Sequence, residues 1–100
     1  MTDLEISKAL ALAIGYNETF FFVNKDNALF VAWRSGTYSQ FRRFDYRDWN
    51  VIGPIAEKYE CFPIRTKTDE WFANIFDCNG FYADTPQKAI ALAVITGTKK

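Results

Sequence analysis

The run Thr19-Phe20-Phe21-Phe22-Val23-Asn24, then Lys25-Asp26-Asn27, then Ala28-Leu29-Phe30-Val31-Ala32-Trp33-Arg34, is two apolar segments around a polar break. Aromatic and β-branched residues dominate the segments, and these suit a pleated, partly buried surface. Asn27 tolerates positive φ and, with Lys25 and Asp26, marks a tight connection. The run therefore predicts a β-hairpin with strands at 19–24 and 28–34. Side chains alternate along a strand, so Phe20 and Phe22 point one way and Phe21 and Val23 the other. Both sets are apolar, which predicts that both faces of the hairpin are covered. Strands joined by so short a turn are antiparallel, and this sets the class of the fold.

Working outward, Thr2-Asp3-Leu4-Glu5 fits a capping box, with the Thr2 hydroxyl and the Glu5 carboxylate each positioned for the other's backbone. The following helix, about 3–14, carries Ile6, Leu10, Ala13 and Ile14 on one face, and Gly15 suits its end. Beyond the hairpin, Ser35-Gly36-Thr37 breaks the pattern, and 38–44 reads either as an irregular loop or as a short edge strand. Asp45 and Asp48 are alternative caps for a second helix reaching Glu60, with Ile52, Ile55, Ala56 and Tyr59 on one face. Pro54, after Gly53, should kink this helix or restart it.

Two further strands, 61–67 and 71–78, turn through Thr68-Asp69-Glu70. That turn places Phe62, Ile64, Ala73 and Ile75 on one face. Asn79-Gly80 is a turn signal, 81–83 a short last strand, and Thr85-Pro86 the start of a third helix. Ala89, Ile90, Ala93 and Val94 form the stripe of that helix, and Gly97 is expected to end it. The class is α+β: an antiparallel sheet of four to five strands with three helices, in the order α-β-β-α-β-β-(β)-α, in one domain of 1–100. No internal repeat stands out in the sequence.

The 100 residues include ten Phe, five Tyr and three Trp but no His. Twelve basic residues balance twelve acidic ones, so no global field draws the chain to nucleic acid or an anionic membrane. Lacking His, the chain has neither the commonest general base at neutral pH nor the commonest metal ligand. Cys61 and Cys78 do not form a zinc pattern, and the scattered glycines make no phosphate loop. No metal, cofactor or catalytic residue is therefore expected, and the chain reads as no enzyme. Neither a leader nor a spanning segment is expected. A cytoplasmic location with both thiols reduced is expected. A hairpin tip at Asp69-Glu70 would set Cys61 opposite Cys78, and a tip at Thr68-Asp69 would not.

One segment, Trp33 to Phe44, interleaves aromatics with cations: Trp33, Arg34, Tyr38, Phe41, Arg42 and Arg43. Trp, Tyr and Arg dominate protein-binding hot spots, so these six are the candidate partner-binding residues. Aromatics with arginines also suit unpaired bases and phosphates, so single-stranded nucleic acid is the alternative partner. Against both stands a purely structural account, with the aromatics in the core and the arginines paired to Asp45 and Asp48. A further possible contact surface is an uncovered sheet face around Phe72 and Phe76.

Three stretches carry a resemblance: Thr2 through Gly15; Phe44-Asp45-Tyr46-Arg47-Asp48-Trp49-Asn50 through Gly53-Pro54-Ile55; and Tyr82-Ala83-Asp84-Thr85-Pro86 leading into Ala89-Ile90-Ala91-Leu92-Ala93. In this order the chain resembles small phage and prophage proteins of the NinX-like, phage ABA sandwich type, over nearly its whole length apart from 19–43. The resemblance implies a helix–sheet–helix domain from a phage or prophage genome, acting in the host bacterial cytoplasm. It implies no catalytic residues. An accessory protein that binds a host or phage protein, for instance as an inhibitor of host defence, is the function it suggests.

Overall fold

A computed structural model describes residues 2–32, 41–75 and 80–98. Within them the order is α1 (Asp3–Ala13), a single 3-10 turn at Glu18–Phe20, β1 (Phe21–Val23), β2 (Leu29–Val31), β3 (Arg42–Arg43), α2 (Trp49–Lys58), β4 (Ile64–Arg65), β5 (Trp71–Ala73), β6 (Phe81–Ala83) and α3 (Pro86–Thr98). The capping box forms: Glu5 N–H donates to Thr2 Oγ1 at 3.1 Å and Thr2 N–H to Glu5 Oε1 at 3.0 Å. Of the two candidate caps for α2, Asp48 is the one used, accepting from Asn50 N–H at 2.9 Å. Thr85 Oγ1 accepts from Lys88 N–H at 3.2 Å at the start of α3.

Helix α2 runs continuously through Gly53-Pro54. Pro54 simply has no N–H to give the carbonyl of Asn50. Helix α3 continues past Gly97, contrary to the expected stop. Gly97 serves packing instead, because a Cβ there would lie 2.4 Å from Cγ2 of buried Ile75.

The strands do not form one sheet of four to five members. They form two antiparallel three-stranded meanders, β1-β2-β3 and β4-β5-β6. Both meanders carry an end strand ill-suited to further pairing: β3 is a pair of exposed arginines, and Pro63, which cannot donate to a ladder, precedes β4. The covering of the first hairpin is also one-sided. Leu29 and Val31 are buried beside Phe21 and Val23, whereas Phe22 opposite Phe30 faces outward. In the second meander Ile64 pairs with Phe72, not with the Ala73 face. Ile64 is thus exposed while Ala73 and Ile75 are buried, and the single-face grouping of Phe62, Ile64, Ala73 and Ile75 is corrected. A register shift of one residue reverses every side chain, and Asp69 at φ +63° sets that register.

The backbone contains a repeat that the sequence conceals. Both α1 and α2 end in a Schellman motif: Tyr16 N–H donates to Ala11 C=O and Cys61 N–H to Ala56 C=O, with Gly15 and Glu60 at positive φ. Both following hairpins close alike. Asn24 N–H donates to Ala28 C=O and Thr66 N–H to Glu70 C=O, with Asn27 and Asp69 at φ +61° and +63°. Superposing these patterns matches Phe22 with Ile64, Phe30 with Phe72, Arg42 with Phe81 and Arg43 with Tyr82.

Helix α3 follows both units. It packs on α1, on α2 and on β5 and β6, while α1 backs β2. Of the stripes read on the first and third helices, Ile6, Leu10, Ala89, Ile90, Ala93 and Val94 are buried in one contiguous core, and Ala13 and Ile14 are partly covered.

Candidate interaction surface

Burying the alternate residues Leu29 and Val31 forces Phe30 outward, and the ladder places Phe22 on one side of it and Arg43 on the other. The ring centroids of Phe22 and Phe30 lie 6.1 Å apart, and Phe41 meets Phe22 edge-on at 6.4 Å. Phe22 is 54% exposed and Phe41 49%. Such edge contacts hold the rings in place without covering them. The result is an outward row, Phe22, Phe30 and Phe41, with the Arg43 guanidinium at its border.

Arg42 pairs with Val31 and so belongs to the opposite, inner side, yet it is exposed. It forms no ion pair with a described residue. Beside it a groove of about 280 Å³ lies between β3 and α2, lined by Ile14, Val31, Arg42, Asn50, Val51 and Ile55, among others.

The sequence-derived candidates divide accordingly. Phe41, Arg42 and Arg43 are brought together at β3. Trp33, Arg34 and Tyr38 lie outside the described residues. The structural account holds here in part: Arg43 pairs with Asp45 at 4.0 Å, but Phe41 is half exposed, Arg42 has no ion pair with a described residue, and Asp48 is engaged as the cap of α2. Asp45 is held more closely by Arg47, whose guanidinium reaches it at 2.9 Å and reaches Asp3 at 3.1 Å. That hydrogen bond, with its charge, keeps the Asp45 carboxyl below the usual carboxylate range. Tyr46 donates its hydroxyl to Asp3 and its N–H to the buried Ser7 Oγ at 3.2 Å. Burial first, then the Asp3 carboxylate, push the Tyr46 phenol up. This network ties the β3–α2 connection to α1, and Arg42 and Arg43 remain exposed.

The sequence reading missed Phe22 and Phe30. The only signal for them is that Arg43 lies across from Phe30, and seeing it requires the register of a strand two residues long. A second outward row, Ile64, Phe72 and Tyr82, occupies the matching place on the other meander. Ile64 is 64% and Tyr82 60% exposed. The rings of Phe72 and Tyr82 meet at 4.8 Å, tilted by 45°, and the Phe72 ring lies over Gly80, where a Cβ would sit 2.3 Å from it. This is part of the face anticipated around Phe72. Phe76 and Cys78 lie outside the described residues.

Cys61 is a buried free thiol, pushed up to about 11 by desolvation. Among the described residues there is no cluster of metal-ligating side chains, and no helix is long and apolar enough to cross a membrane. No family model matches the chain, and the searches returned no similar curated protein and no similar solved structure.

Proposed function

We propose that this protein is a non-catalytic binding protein that acts by occupying a surface of another protein, through Phe22, Phe30, Phe41, Arg42 and Arg43. The observation that carries this reading is the exposure of Phe22 and Phe41, two rings in mutual contact and both about half open to solvent. Rings held in place lose little entropy on binding, and arginines at their border give orientation and specificity. The resemblance to small phage and prophage proteins supports an accessory role of this kind, such as inhibition of a host defence.

The test is to replace Phe22 and Phe41 together by Ala and to measure melting and partner capture from bacterial lysate. Capture should be lost while the melting temperature holds, since truncating an anchor costs about 2 kcal/mol or more of binding. Unchanged capture overturns the assignment of the surface. Retention on a single-stranded nucleic-acid column that collapses steeply with salt would make the partner a nucleic acid.

A further inference from the structure

The duplicated unit allows the molecule to be compared with itself. On the second meander, the inner position of the third strand is Phe81, which packs against the core beneath α3. The matching position on the first meander is Arg42, a cation exposed at the mouth of a groove. One unit thus closes its inner face with an aromatic ring, and the other leaves it open and charged. The groove floor is apolar, formed by Ile14, Val31, Val51 and Ile55. Its charged lining, among the described residues, is Arg42 and Arg43, with no carboxylate.

Among the described residues the backbone beside the groove is open as well. Phe44 N–H donates to Leu29 C=O at 2.8 Å, so residue 44 points its peptide groups at β2. In an antiparallel ladder this direction alternates, so the N–H and C=O of Arg43 point away from β2. Among the described residues β3 is the edge of its sheet. An edge of two arginines repels an identical edge of a second copy and favours an acidic strand.

Building on the proposed binding role, we infer that the partner presents an extended acidic segment that adds to the edge of β3 as a further strand. Its alternate side chains point to the two faces of the sheet. An apolar residue enters the groove against Val31, Val51 and Ile55. The carboxylates that flank it point to the outer face and meet Arg43 beside Phe41.

The probe is a capped pentapeptide alternating glutamate and leucine, titrated into the whole protein and followed by backbone-amide NMR. A second pentapeptide replaces glutamate by lysine. The glutamate peptide should give saturable shifts at Val31, Arg42, Arg43, Val51 and Ile55, and the Arg43 amide should become protected from hydrogen exchange. The lysine peptide should give none. Arg43→Glu should weaken the glutamate peptide by about tenfold and admit the lysine peptide. Arg43→Gln, which removes the charge without reversing it, should weaken it less. Equal response to both peptides, shifts confined to Ile64, Phe72 and Tyr82, or no saturation would overturn strand addition.

This titration needs no natural partner, so the two ideas fail separately. A failed titration with capture still dependent on Phe22 and Phe41 sinks strand addition alone. A successful titration with capture indifferent to those two rings sinks the proposed surface alone.

Discussion

Tyr46 and Asp45 are neighbours whose side chains titrate to opposite effect. Tyr46 is buried, and its hydroxyl donates to Asp3. Removing that hydroxyl in Tyr46→Phe should cost about 1 kcal/mol, read as a lower denaturant midpoint with an unchanged slope. A loss far above this would mean that the hydroxyl holds more than Asp3. Cys61 offers a cleaner readout. Its thiol, raised to about 11 by burial, is almost wholly protonated at neutral pH, and the thiolate is the reactive form. In a Cys78→Ser variant, Cys61 should resist thiol reagents at pH 8 until denaturant is added. Native reactivity matching that of the unfolded chain would contradict its burial. At this scale the sequence was readable where a residue acts on its own neighbours. Thr2, Glu5 and Asn27 do what their chemistry suggests within a few positions along the chain. Burial of Cys61 and the Tyr46–Asp3 bond depend on partners far away in sequence, which no local pattern encodes.

Among the elements, the stop signals divide instructively. Gly15 ends α1 as expected, at φ +111°. Glu60 ends α2 with the same hydrogen bonds at φ +51°, although a side chain is strained there. Glu60→Gly should therefore stabilise the protein by about 1 kcal/mol, seen as a raised melting temperature. A fall would show that the Glu60 side chain has a role of its own. Gly97, by contrast, lies within α3 against Ile75. Gly97→Ala should destabilise by about 1–3 kcal/mol despite the better helix propensity of Ala, because the methyl has no room. A gain in stability there would mean that Ile75 can move aside. The three helices and their buried stripes were legible because periodicity is strong over ten or more residues. The strands, each of two or three residues, carry too short a pattern to fix register. The placement of Ile64 and the division into two sheets were therefore not legible.

At the scale of the whole molecule, two limbs bound the stability in pH. Asp45 has a folded pKa below its unfolded value, so its contribution is present above about pH 4 and is lost as pH falls further. Tyr46 and Cys61 have folded values above their unfolded ones, so theirs is present at neutral pH and lost as pH rises past about 9–10. A plot of melting temperature against pH should fall at both ends. Asp45→Asn should flatten the acid limb, and Tyr46→Phe should soften the alkaline one. Limbs unaltered by these changes would shift the origin of the pH dependence to other groups.

The repeated helix–hairpin unit bears on the molecule as it is being made. Helix α3 has no counterpart between the two units, yet it touches α1, α2 and the second meander. During synthesis, at roughly 5–20 residues per second, α1 leaves the ribosome several seconds before the helix that covers it. The joining contacts are among the most distant in the chain, and contacts of that kind form slowly. Each nascent unit can close its own hairpin early, but the shared core waits for residues 86–98. Through that interval the faces of α1 and α2 that α3 covers are open together.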